Sequence, residues 1–285
     1  MKTNTILVTG ASGKTGISVI QSLLDKGYSV RAYVHRSSQV NLFDNRVQLF
    51  IGDLSSTHDL AHAMDDVTAV YHICPNMHPG EVSIGRRVIQ VAKSAAIEHF
   101  VFHSVLHPQI KEMPHHWNKM RVEGLLFKSG LNYTIQQPAA YMQNILQYKK
   151  AILEQKVYAV PYNGETRIGM VNLDDVAEAA ATVICQSCNY GGIYELATHE
   201  APSQVKLAQL ISQVVHKEIR FEELPRNQWI KDIRKTGMTD FAITTLIKMF
   251  EYYETYGFYG NGTTLSAIIN RKPKTLIHFI RNNFT

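Results

Sequence analysis

The sequence of 285 residues is poor in cysteine, in long apolar runs and in concentrated charge, and each shortage removes a class of protein. Its 3 cysteines do not make a disulfide framework. Cys185 and Cys188 form one Cys-x-x-Cys pair at the end of an expected helix, with no second pair to complete a zinc site, so these two and Cys74 read as buried or incidental thiols. No apolar segment reaches the roughly eighteen residues needed to cross a bilayer, and Met1-Lys2-Thr3-Asn4 runs straight into a strand pattern without the apolar region of a signal peptide. A cytoplasmic protein without membrane contact is expected. Lys and Arg number 29 against 24 Asp and Glu, a net charge of +5. No basic run resembles a nucleic-acid arm, so no direct nucleic-acid binding is expected. The 13 histidines include no His-Glu-x-x-His spacing, and no metal site is expected. His72, His78, His103, His107, His115 and His116 read mostly as polar strand ends and surface loops.

What is present is Ile6-Leu7-Val8-Thr9, an apolar strand that runs into Gly10-Ala11-Ser12-Gly13-Lys14-Thr15-Gly16. A glycine-rich turn between strand and helix lets the backbone approach a pyrophosphate, and the helix N-terminus presents unpaired N–H groups to it. The Gly-x-x-Gly-x-x-Gly spacing differs from Gly-x-Gly-x-x-Gly, so the context carries the reading. A helix is expected from Lys14 to Lys26, with Ile17, Ile20, Leu23 and Leu24 on one face and Gly27 as its left-handed cap, then a strand from Tyr28 to Val34. That completes a βαβ unit.

The alternation continues with strands at Val47–Ile51, Ala69–Ile73, His99–Ser104 and Leu131–Gln136, separated by helices at Thr57–Met64, Val82–Ala95 and His115–Lys128. This rhythm predicts an α/β fold, a Rossmann-type doubly wound parallel sheet with a smaller C-terminal α/β lobe. Residues 1–155 are expected to form the dinucleotide-binding domain and 156–285 mainly the substrate or partner lobe, with some segments returning to the first. Further helices are expected at Tyr141–Glu154, Asp174–Cys185, Ser203–Val215 and Phe241–Tyr253. The substrate is expected between the two parts.

Arg36 stands just past the second strand, where an acidic residue favours a free ribose 2′-hydroxyl and an arginine suits a 2′-phosphate. No Asp or Glu occurs between Tyr28 and Val40, so NADP(H) is preferred. Asp53 either accepts from an adenine amino group beside Leu54 or caps the next helix, a task open also to Ser55, Ser56 and Thr57. Ile73, Cys74, Pro75, Ser104, Pro138 and Tyr141 complete the expected cofactor lining, and Trp117, Tyr141, Met142 and Asn144 the expected substrate contacts. Large apolar members of this set are equally core candidates.

The order of glycine loop, strand-end Ser104, then helical Lys119 with Glu123 one turn on resembles the short-chain dehydrogenase/reductase superfamily, and within it the atypical NmrA-like branch. Thr9–Gly16, Tyr133–Asn144 and Val171–Ala177 are similar to that branch's glycine motif, sixth-strand segment and the helix start after the sheet. Gly192–Leu196 resembles a late strand pairing with the C-terminal lobe. The resemblance implies an NADPH-dependent oxidoreductase acting on a quinone or another conjugated small molecule. The alternative it admits is a catalytically silent NADP(H)-sensing protein with a regulatory protein partner. The branch's better-known relatives use Tyr-x-x-x-Lys for proton transfer. Here His115 stands in the tyrosine position before Lys119, so His115, Lys119 and Ser104 are the candidate catalytic residues, with His116 beside them.

Overall fold

The reversal of strand order in one parallel sheet is what positions everything else. The computed structural model describes residues 4–285; Met1–Thr3, expected to run straight into the first strand, lie outside them. β1 (Thr5–Val8), α1 (Lys14–Asp25), β2 (Ser29–Val34), β3 (Val47–Ile51), α2 (Thr57–Ala63), β4 (Ala69–His72), α3 (Glu81–Ser94), β5 (His99–His103), α4 (Pro114–Phe127) and β6 (Tyr133–Pro138) follow in turn. The six strands pair in parallel. β1, β4 and β5 are buried along their whole length, as expected where helices cover both faces. On α1 the buried residues are Thr15, Gly16, Val19, Ile20 and Leu23, whereas Ile17, expected inside, is 38% exposed. Gly27 closes the helix at φ +81°, the left-handed cap that its sequence position predicts.

Beyond β6 come β7 (Ala140–Tyr141), β8 (Val157–Val160), β9 (Met170–Val171), α5 (Leu173–Val183), β10 (Gly192–Leu196), α6 (Gln204–Val215), β11 (Arg220–Glu223), α7 (Arg226–Arg234), α8 (Asp240–Tyr256), α9 (Thr263–Ile269) and α10 (Leu276–Phe284). β10 joins the main sheet beside β6, giving the order β10-β6-β5-β4-β1-β2-β3, and so does not pair with the lobe as its motif suggested. The chain forms two compact units. One holds residues up to Gln109, His115–Pro138 and Asp174–Tyr194; the other holds Ile110–Pro114, Ala139–Leu173 and Glu195–Thr285. In the second unit β7 pairs with β9 and β8 with β11, and α10 packs on α6.

The helix expected at Tyr141–Glu154 is not α-helical. Ala140–Tyr141 is a strand, Met142–Tyr148 a 3-10 turn and Ala151–Gln155 a wide π turn. The Gln143 carboxamide accepts from the Leu173 amide and donates to Asn172 Oδ1, both at 3.1 Å, which ties this segment to the start of α5. Apolar periodicity carries no trace of that long-range tie.

α3 and α4 approach closely because Gly85 has no side chain: a Cβ there would sit 2.8 Å from both Val122 methyl carbons. We expect Gly85→Ala to destabilise the protein by about 1–2 kcal/mol, since overpacking outweighs the helix propensity gained. Urea midpoints measure this, and adding Val122→Ala should recover part of the loss; simple additivity would contradict the contact.

Candidate functional site

Where the order runs from β4 to β1 to β2, the carboxyl ends of β1 and β4 open the crevice in which α/β sheets bind ligands. The Thr9 hydroxyl ties these two ends together, accepting from the Ile73 amide at 3.0 Å and lying 2.8 Å from His72 Nδ1. Gly10 then turns at φ +62°, and a Cβ on it would lie 2.8 Å from the Ile73 carbonyl oxygen. Gly13 donates its amide to Gly10 at 3.1 Å. A Cβ on Gly16 would meet the Ala11 carbonyl at 2.6 Å, so the first turn of α1 lies directly on the loop. No side chain caps α1 and no acid lies in its first turn, so the positive dipole end falls on backbone amides. Burial lowers the Lys14 pKa beside them. A cradle that only glycine backbone can line, with an uncapped helix at its end, fits a dinucleotide pyrophosphate.

At the far side of the crevice, Arg36 and Asp53 are both exposed past the ends of β2 and β3. No ion pair holds the Arg36 guanidinium among the described residues. The Asp53 carboxylate accepts from the Ser55 amide at 2.7 Å, and that bond keeps its pKa below the ordinary carboxylate value. The cap of α2 is Ser56, which accepts from the Asp59 amide at 3.1 Å, so Asp53 is not the N-cap. The half-buried Leu54 offers its carbonyl to Arg87 at 3.2 Å.

Between α3, β5 and α4 the interior is unusually polar. Lys119 donates to Glu81 at 2.6 Å, with side-chain exposures of 12% and 2%. Burial depresses the lysine, but the charge and hydrogen bond of Glu81, together with Cys74 and Glu123 nearby, raise its pKa above the ordinary value. The Lys119 ammonium also lies over the Phe102 ring. Ser104 gives its hydroxyl to Glu123, and Gln137 donates to both carboxyl oxygens at 3.0 and 3.2 Å. Burial raises the Glu123 pKa against these bonds. Lys119 and Ser104 are therefore committed to different carboxylates.

His72 and His103 end β4 and β5, the polar strand ends that the sequence suggests, but they are buried, as are His115 and His116 in the first turn of α4, while His78 is exposed. His115 and His116 pack edge to face with centroids 4.4 Å apart, and His116 Nδ1 donates to the His107 carbonyl at 3.2 Å. Burial pushes the His115 pKa well below its ordinary value and that of His116 to about 4. Cys74 is buried and burial raises its thiol to about 12, while Pro75 is exposed and Pro138 accepts from the Leu106 amide at 2.9 Å. Trp117 is half-buried on α4. Tyr141, Met142 and Asn144 belong to the second unit, where Met142 is fully buried and Asn144 exposed. The residues that sequence reasoning missed are Thr9, Gln39, Glu81 and Gln137. Glu81 had the acid-at-a-helix-start signal, but its burial against Lys119 depends on the packing of α3 on α4.

The chain matches the family model described as the NmrA-like family over residues 2–280. It belongs to that family. It is 24% identical over 282 residues to the NAD(P)H azoreductase of Xenophilus azovorans, covering 97% of this chain and 96% of the relative. It is 25% identical over 282 residues to quinone oxidoreductase 2 of Escherichia coli, covering 98% of each. The crystal structure of the Escherichia coli NADPH-dependent quinone oxidoreductase with NADPH superposes with a TM-score of 0.86 at 25% identity, covering 98% of this chain and 100% of that one.

Burial lowers His72 and His103 to about 3, and His99 and His116 to about 4. The unfolded chain then binds more protons than the folded one between these values and about 6.5, so stability is full above that pH and falls as pH drops toward 4. Urea midpoints at pH 8, 7, 6 and 5 should be level at the top of this series and decline below 6.5. A flat profile down to pH 5 would contradict the buried neutral state.

Proposed function

We propose that this NmrA-like protein is an NADPH-dependent oxidoreductase that reduces a quinone or a similar conjugated small molecule in the cytoplasm. The observation that carries the reading is the cradle of Gly10, Gly13 and Gly16 at an uncapped helix, with an unpaired Arg36 beyond the end of β2. The names of the relatives, an azoreductase and a quinone oxidoreductase, support the acceptor class. Among the described residues no helix is long and apolar enough to cross a membrane.

NADP(H) supplies a hydride when bound. The backbone of Gly10–Gly16 would hold the pyrophosphate, Arg36 the 2′-phosphate and Asp53 the adenine side, with Ile73, Cys74 and Pro75 beside them. The buried ion pair of Lys119 and Glu81 fixes a positive charge under the strand ends without exposing it to solvent. His115 occupies the usual phenol position, yet burial keeps it neutral near pH 7, which makes it a poor proton donor. Alignment and exclusion of water then supply most of the rate.

NADPH should bind and be oxidised saturably when quinones, azo compounds and triarylmethane dyes are offered, followed at the nicotinamide absorbance band. Arg36→Ala should weaken NADPH by about tenfold while leaving NADH nearly unchanged. Stronger binding of NADH than NADPH by the native protein would refute the cofactor assignment. Tight NADPH binding with no turnover across the panel would favour the regulatory sensor. His115→Phe should keep most of kcat and the same pH profile; loss of an ionisation from that profile would restore His115 as the proton carrier.

A further inference from the structure

The end of β2 is shaped by a residue outside the glycine cradle. After β2 the chain passes His35 and Arg36 into a 3-10 turn at Ser37–Leu42. The Gln39 side-chain oxygen accepts from the His35 amide and from the Arg36 amide, each at 3.0 Å. The Gln39 amide in turn donates to the Arg36 carbonyl at 3.0 Å. One residue thus holds the peptide groups on both sides of Arg36, in both hydrogen-bonding directions. Gln39 is half-buried, and Arg36 itself is exposed in an extended conformation at φ −130°, ψ 143°.

An arginine side chain has several rotatable bonds, and its contribution to binding an anion falls with the freedom it must lose. Fixing its backbone removes part of that loss before the ligand arrives. The acids closest in sequence are engaged elsewhere: Asp44 pairs with Arg46 at 2.7 Å, and Asp25 accepts from Gln21 at 2.7 Å. The segment therefore presents a guanidinium on a held backbone, with the Ser37 and Ser38 hydroxyls beside it in sequence.

We propose that Gln39 is a positioning residue for cofactor discrimination: it fixes Arg36 to receive the 2′-phosphomonoester, and so sets the preference for NADPH over NADH. This rests on the reading of Arg36 as the 2′-phosphate partner. A glutamine carboxamide suits the task because it accepts from both amides without carrying a negative charge toward the phosphate. A glutamate would accept equally well and repel the ligand.

The test is titration of native protein, Gln39→Leu, Arg36→Ala and the double variant with NADPH and with NADH, followed by intrinsic fluorescence. Adenosine 2′,5′-bisphosphate serves as a nicotinamide-free probe. Gln39→Leu should weaken NADPH and the bisphosphate by about five- to tenfold and leave NADH within about twofold, and the double variant should lose no more NADPH affinity than Arg36→Ala alone. Equal loss for both dinucleotides, no loss for NADPH, or additive losses would overturn the proposal. If Arg36→Ala alone leaves the ratio of NADPH to NADH affinity unchanged, the 2′-phosphate reading itself has failed, and the role of Gln39 falls with it.

Discussion

The whole site depends on backbone contact between one turn and one neighbouring strand end. Gly10 lies so near Ile73, and Gly16 so near Ala11, that a single methyl group would collide with main-chain atoms at either place. This contact sets the first turn of α1 against the ends of β1 and β4, at the point where the strand order reverses. Helix dipole, uncapped amides and crevice then coincide, and the Thr9 hydroxyl locks them by bonding across to Ile73. The glycines are there for closeness as much as for flexibility.

Around that turn the fold tolerates an interior richer in ionisable groups than a Rossmann core needs for packing. Two solutions make this possible. Lys119 and Glu81 remain charged and paired, since leaving either alone in the interior would cost several kcal/mol. The histidines remain neutral, held by contacts such as Thr9 with His72 and Tyr71 with His103 at 2.8 Å each. Tyr71 also donates to Gln136 at 2.8 Å, so β4, β5 and β6 share one polar chain at their carboxyl ends. Such a network ties the carboxyl ends of these strands together, at the cost of acid stability.

The main sheet was legible in the sequence because its signals are local. Alternating strands and helices, the glycine turn and Gly27 each act within a few residues, and the elements β1 to β6 lie close to where they were expected. The family was legible for the same reason, through short ordered motifs. Tyr141–Glu154 defeated the reading because Gln143 answers to Asn172 and Leu173, far along the chain. The burial of His72, His103, His115 and His116 was not legible, because a polar residue at a strand end or in a first helical turn looks the same in sequence whether it faces solvent or packs inward. The candidate site was legible where backbone made it, at Gly10 to Gly16, and opaque where side chains pair over distance. The sequence placed Ser104 and Lys119 in one group, whereas their bonds run to Glu123 and Glu81.

The most direct measurement of the central claim is calorimetric titration of NADPH into Gly16→Val, compared with the native protein, with circular dichroism and thermal unfolding recorded on both. The account predicts a folded variant that gives no NADPH binding heat, because the added side chain forces α1 off the loop. A folded variant that binds NADPH as tightly as the native protein would contradict it.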